Sequence, residues 1–236
     1  TFLASFPDAQ RAGAAVSGMI RQGYRPRTME LIDQHVVEHL RLTKRWPMPA
    51  GPCALLLVEL DGEANGLEQQ MVEAAGACES AGAQEILVAT DEQRRRQIWD
   101  MRRASNPVLK EQHKYKYSED IVVPRARIPE MLNQLDALAA KNKVAIANFG
   151  HAGDGNLHVN VLFDDEEQLK HIEHILTAVV RCALDLGGTL SGEHGIGIAK
   201  RRFMTMEQSP ELLRLQRDLK KVFDPLGLMN PEKLLP

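Results

Sequence analysis

The sequence is poor in cysteine: three residues, Cys53, Cys78 and Cys182, an odd number with no close spacing. That excludes a disulfide framework and a thiolate metal site, and fits reduced thiols in a cytoplasmic setting. No apolar run approaches the roughly 20 residues that cross a bilayer, so no transmembrane segment is expected. Charge is nearly balanced, 29 basic against 32 acidic residues for a formal net charge of -3, with 44% hydrophobic residues. Neither a nucleic-acid field nor disorder is indicated. The start, Thr1-Phe-Leu-Ala-Ser, lacks the basic and apolar regions of a secretion signal. It also lacks an initiating methionine, so the chain is expected to be a fragment or to be numbered from an internal residue. At 236 residues it can bury a sizeable core, as one large domain or two small ones.

Taken in order, the chain alternates strand and helix patterns. Strands are expected at 2–6, 25–32, 53–60, 84–89 and 119–123, with helices at about 9–20, 33–42, 66–81, 91–105 and 127–142. The charged helix is expected to stop at Asn106-Pro107. Two further strands, 144–149 and 157–163, bracket a glycine-rich loop. A long helix over 164–186 and a short strand at 189–191 follow, then a helix over about 210–222 and an irregular tail. The second half is thus β-α-β-β-α-β, and the first half reads the same way with an extra helix. That is the ferredoxin-like unit. The expected fold is α+β: two such units, about 1–106 and 107–236, forming an antiparallel-rich sheet with helices on one face, plus a C-terminal helical tail.

Chemistry concentrates in the stretch from Asn148 to Asn160. His151 and His158 flank a loop of Gly153, Asp154, Gly155 and Asn156, residues that tolerate tight reversal, so a β-hairpin is predicted. Directly opposed positions would lie about 4.5–5.5 Å apart at Cβ, close enough for two imidazoles to share an ion. Period-2 alternation puts Asn160 on the face of His158. Two histidines alone are equally compatible with a hairpin carrying two partly exposed rings. The stretch from Ser191 to Gly197 shifts the balance, because it sets Glu193 and His194 among glycines that let backbone approach a ligand. Glu193 with His151 and His158 makes a His₂Glu set with open positions, suited to zinc, manganese or iron. Gly195-Ile-Gly197 lacks the third glycine of a dinucleotide fingerprint.

His194 is the candidate for proton transfer, with orientation of Glu193 as its competing role. Among the clustered arginines of the 91–105 helix, Arg102 lies towards the buried stripe and could grip a carboxylate bidentately. Lys116 and Tyr117 are weaker candidates of the same kind, and Asp154 is a loop-former.

With these residues in hand, the chain resembles the C-terminal domain of FAD-linked oxidases of the vanillyl-alcohol-oxidase superfamily. The nearest resemblance is to the group formed by the glycolate oxidase flavoproteins, the D-lactate dehydrogenases and the D-2-hydroxyglutarate dehydrogenases. Phe149 to Asn160, Ser191 to Gly197 and Phe223 to Lys233 carry the match, helped by Trp99 to Arg102 and Asp120 to Pro124. The resemblance implies a doubled ferredoxin-like cap over a flavin. It implies metal ligands at His151, His158 and Glu193, a catalytic histidine at His194 and a substrate-carboxylate arginine at Arg102. Asn160 matches a substrate-contacting asparagine of the D-2-hydroxyglutarate branch, and Asn230 would approach the flavin. Lys116 matches a substrate lysine of that branch with imperfect spacing, and Asn106 stands where that branch has threonine. The family's FAD-binding domain is not in this sequence.

The expected activity is oxidation of a small D-2-hydroxy acid, glycolate or D-lactate, to the 2-oxo acid. The cofactors implied are FAD and a divalent metal. The partners implied are the flavin domain of the parent chain and an electron-transfer subunit, which would also be the route to any membrane association; a homodimer is left open. By itself the chain should be catalytically silent. The alternatives are a D-2-hydroxyglutarate-type dicarboxylate dehydrogenase, a non-catalytic metal- or ligand-binding ferredoxin-like module, or a His₂Glu hydrolase.

Overall fold

The computed structural model describes residues 1–236, the side chain of residue 64 excepted. Seven strands are formed: β1 (Phe2–Phe6), β2 (Thr28–Ile32), β3 (Ala54–Glu59), β4 (Glu85–Val88), β5 (Tyr115–Val122), β6 (Ala145–His151) and β7 (Asn156–Phe163). They build one sheet in the order β4-β1-β3-β2-β6-β7-β5, every neighbouring pair antiparallel. The helices are α1 (Ala9–Arg21), α2 (Gln34–Leu42), α3 (Ala64–Ser80), α4 (Glu92–Gln112), α5 (Ile128–Asn142), α6 (Ile172–Asp185), the single turn α7 (Met204–Glu207) and α8 (Pro210–Phe223). Asp8, Asp33 and Asp91 start α1, α2 and α4 by accepting a backbone N–H three residues on, each at 2.8 Å.

Strand alternation sorts the side chains into two layers. Phe2, Ala4 and Phe6, Leu56 and Val58, and Leu157, Val159 and Val161 point to the layer of α1, α3, α5 and α6. Ile32, Leu55, Ala147, Phe149 and Leu162 point to the opposite side, where Val36, Val37 and Leu40 of α2 meet Met101, Val108 and Leu109 of α4. The expectation of helices on one face is therefore corrected: an apolar patch on the reverse of β2, β3 and β6 draws α2 and α4 over it. Each fully buried branched side chain contributes about 1.5–3 kcal/mol to this packing.

The predicted stop at Pro107 is also corrected. The helix runs on to Gln112 through the proline, because continuing it buries Val108 and Leu109 (1% and 0% exposed). The proline ring costs one i→i−4 bond, and that burial outweighs the loss. The division at about residue 106 consequently falls inside α4, and β2–β6 pairing joins the two halves into one sheet. The expected strand at 189–191 is reduced to one bridge, Val122 with Thr189. Beyond it the backbone is claimed by side chains, Leu190 N–H by Glu207 (3.0 Å) and Leu190 C=O by Lys200 (2.8 Å). The tail folds back, with Leu234 N–H donating to Gly197 O at 3.0 Å. Among the described residues no helix is long and apolar enough to cross a membrane.

Candidate active site

One sheet face carries the site. In register, β5 presents Lys116, Ser118 and Asp120 beside Leu162, Asn160 and His158 of β7. Phe149 of β6 lies opposite His158, and His151 pairs with Glu30 of β2. The two histidines are thus diagonal neighbours rather than directly opposed, because β6 runs on past the hairpin pairing to join β2. Their rings still meet edge to face, centroids 5.4 Å apart. The reversal occupies Ala152 to Gly155. Gly155 has φ +79°, and a Cβ there would lie 2.0 Å from Val123 O, so glycine is required.

Glu193 Oε1 lies 3.5 Å from His151 Nε2, 3.5 Å from His158 Nε2 and 3.6 Å from His194 Nε2. The donor atoms of His151, His158 and Glu193 all fall within 4.8 Å of one another. Bonds of about 2.0–2.2 Å to a tetrahedral ion put ligand atoms about 3.3–3.6 Å apart, which the two His–Glu separations match. Burial, then the charges of His151 and Arg102, push His158 down to about 4, leaving a neutral imidazole with a lone pair to offer. The hydrogen bond to Glu30 outweighs burial and raises His151. That bond, Nδ1 to Glu30 Oε1 at 2.6 Å, turns Nε2 towards Glu193. His194 stacks on His158 at 5.3 Å and is largely exposed, with Nδ1 4.0 Å from Asp120 Oδ2.

Asp120 organises the loop that delivers Glu193 and His194. Its buried Oδ2 accepts the backbone N–H groups of Gly192 (3.0 Å), Glu193 (2.9 Å) and His194 (2.9 Å). Its Oδ1 takes Asn156 Nδ2 at 2.6 Å, and Lys200 Nζ stands 3.8 Å from Oδ2. Burial opposes ionisation here, but these donors and the lysine charge outweigh it and hold the carboxyl at about 2. A Cβ on Gly192 would sit 2.4 Å from Asn156 Nδ2 and 2.7 Å from Asp120 Oδ1, so only glycine lets the loop approach.

Arg102 is buried beside the pair. Its Nε and Nη2 reach Glu30 Oε2 at 2.8 and 2.7 Å, and the guanidinium lies 4.8 Å from the Phe149 ring centroid. Both donors meet the same carboxylate oxygen, so Glu30 already occupies that edge of the guanidinium, and Nη1 is left for a further anion. Burial disfavours the Glu30 charge, yet the His151 hydrogen bond and Arg102 together lower its pKa. Asn160 shares the site's face, but its amide is committed. Nδ2 donates to Ala147 O and His158 O at 2.9 Å each, and Oδ1 accepts Ser118 Oγ at 2.8 Å. Lys116 Nζ donates to Ser118 Oγ at 2.6 Å, and burial, then the Lys110 charge, lower its pKa. Asn230 is in the tail at φ +48°, lining a cavity of about 810 Å³ with Ile196, Leu219 and Phe223. Asp154 closes the turn, its backbone N–H donating to His151 O at 3.0 Å.

Glu30, Asp120 and Lys200 were not singled out from sequence. Glu30 had a legible signal, a lone carboxylate inside the apolar run Met29 to Ile32 that burial must pair. Asp120 has none, because its partners are backbone N–H groups some 70 residues away.

The family model for the C-terminal domain of FAD linked oxidases matches residues 1–234. The chain is 30% identical over 236 residues to glycolate oxidase subunit GlcD of Bacillus subtilis, covering 99% of this chain and 50% of that protein. It is 31% identical to the protein of the same name from Escherichia coli K12, covering 99% and 47%. To the probable mitochondrial D-lactate dehydrogenase of Danio rerio it is 28% identical, covering 98% and 47%. The chain thus spans about half the length of the curated relatives it matches. Among solved structures, p-cresol methylhydroxylase with substrate bound superposes with a TM-score of 0.71 at 12% identity, over 98% of this chain and 52% of that one. A 4-ethylphenol oxidase from Gulosibacter chungangensis gives 0.63 at 13% identity, over 99% and 53%; both likenesses concern the fold. Matched almost from end to end, the chain belongs to the FAD linked oxidases and is their C-terminal domain.

Proposed function

We propose that this domain binds substrate and a divalent metal for a flavin-dependent oxidoreductase that converts a small D-2-hydroxy acid to its 2-oxo acid. The observation that carries the reading is the approach of His151 Nε2 and His158 Nε2 to within 3.5 Å of Glu193 Oε1 beside the buried Arg102. His151, His158 and Glu193 would hold zinc, manganese or iron. A bound ion would supply Lewis acidity, and FAD would supply the two-electron acceptor. The chain's own residues do the rest. Arg102, through Nη1, holds the substrate carboxylate, while Glu30 fixes the guanidinium and the His151 ring. His194 Nε2 receives the hydroxyl proton, and Asp120 holds the His194 backbone N–H at 2.9 Å, fixing where the ring stands. Phe149 and Arg102 close one wall against water.

The relatives' names support a 2-hydroxy acid of the glycolate or D-lactate type and a multi-subunit setting. A small acid is favoured over a dicarboxylate because Lys116 is paired with Ser118 and stands four residues, about 13 Å, along β5 from Asp120. The sheet order β4-β1-β3-β2 followed by β6-β7-β5, with the Thr189 bridge on β5, supports two ferredoxin-like units joined through β2 and β6. Turnover of D-lactate and glycolate by the intact flavoprotein tests the reading. Arg102→Met should raise KM for the acid at least tenfold, and His194→Ala should lower kcat with little change in KM. Unchanged kinetics in both would overturn it.

A further inference from the structure

A second histidine pair lies at the other end of β5. His39 of α2 and His113, at the end of α4, face each other with their Nε2 atoms 2.8 Å apart and ring centroids 5.0 Å apart. The far side of each ring is already committed. His39 Nδ1 is 2.7 Å from His35 O, a carbonyl that can only accept, so Nδ1 carries a proton. His113 Nδ1 is 3.2 Å from Asp164 Oδ2, again an acceptor. Asp164 is pinned by the Lys114 backbone N–H at 2.7 Å, and this bond, outweighing burial and helped by His113, keeps its carboxyl below the usual range. With Nδ1 donating on the far side of each ring, it is the two Nε2 lone pairs that meet across the contact. Two lone pairs at that separation repel, and the contact is stable only with a positive centre between them.

We propose that His39 and His113 form a second metal site, which takes a borderline transition ion such as Zn²⁺, Ni²⁺ or Cu²⁺. Two imidazole nitrogens select these ions over Mg²⁺ and Ca²⁺, which demand oxygen. A carbonyl on one Nδ1 and a carboxylate on the other is the outer-shell arrangement that orients metal-bound histidine. Bonds of about 2.0–2.1 Å require an N–N separation near 3.3 Å, about 0.5 Å wider than the observed contact. The half-buried rings can open that far by rotation, with water filling the remaining positions. The ion would tie α2 to the start of β5, a junction already drawn together by Gln112 Nε2 donating to His39 O at 3.1 Å. The site shares no residue with His151, His158 and Glu193.

The test is calorimetric titration of Zn²⁺ into the intact, metal-stripped protein, wild type against His39→Ala, His113→Ala and Glu193→Ala. Each of the first two substitutions should remove one zinc equivalent, the same one, and leave any Glu193-dependent equivalent in place. Asp164→Asn should weaken that equivalent by about tenfold. His39→Gln and His113→Gln, checked for an unchanged metal-free melting curve, replace any alanine variant that does not fold. Zinc stoichiometry and affinity identical in wild type and all His39 and His113 variants would show that the pair merely shares a proton, and would overturn the proposal. The outcome at Glu193 is read separately, so the two sites fail or stand independently.

Discussion

Asp120→Asn removes the charge on which the Glu193 loop is built while keeping the side chain's shape. The buried Oδ2 accepts three backbone N–H groups at 2.9–3.0 Å, and hydrogen bonds to a charged acceptor contribute about 1.5–3 kcal/mol each. The amide oxygen keeps part of this, but the amide N–H₂ must turn towards Asn156 Nδ2, itself a donor at 2.6 Å. The depressed carboxyl gives an independent figure. A fall from 3.8 to about 2 corresponds to about 2 kcal/mol of preference for the folded state. A loss of about 2–4 kcal/mol is expected, and with about 2–4 °C per kcal/mol in a domain of this size the melting temperature falls by about 5–15 °C. The sign with pH follows from linkage. A carboxyl whose folded-state pKa lies below its unfolded value stabilises above the unfolded value, and that stability is lost as pH falls through the folded one. Wild type should therefore lose this contribution between about pH 4 and pH 2, and the variant should not. Urea denaturation of both proteins at neutral and acid pH measures the difference. A gap below about 0.5 kcal/mol at neutral pH, or one unchanged in acid, would refute the reasoning.

Glu30→Gln strands a buried Arg102 without its counter-ion and should cost about 3–5 kcal/mol in urea denaturation, while lowering metal affinity about 10–100-fold by freeing the His151 ring. Gly192→Ala sets a methyl 2.4 Å from Asn156 Nδ2. It should cut the same affinity in a metal titration with little change in the core's melting. Pro107→Ala restores an i→i−4 donor in the exposed middle of α4 and should stabilise by about 1–3 kcal/mol, a gain visible as a higher urea midpoint at unchanged slope.

Much of the fold was legible because local rules and tertiary packing agree. Alternation in Leu157 to Phe163 and the helical stripe Ala12, Ala15, Val16 and Met19 each point to one layer. The loop from Ala152 to Gly155 and the glycines around Glu193 marked the two arms that meet. What escaped was decided by partners distant in sequence. Pro107 reads locally as a helix stop, and only the pocket receiving Val108 and Leu109 overrides it. The strand at 189–191 was lost because Glu207 and Lys200, later in the chain, take the backbone of Leu190. Asp120 looks like any strand carboxylate until the loop at 192–194 lays three N–H groups on it. Arg102 lies beside the histidine pair, but its Nε and Nη2 are taken by Glu30, a partner 72 residues away.

The central claim is that His151, His158 and Glu193 hold a divalent ion. Inductively coupled plasma mass spectrometry of the intact protein tests it most directly, in a His39→Ala background so that only this site is counted. One bound ion per chain is expected, lost in both Glu193→Ala and His158→Ala while the melting curve of the metal-free protein is kept. Equal metal content in all three proteins would contradict it.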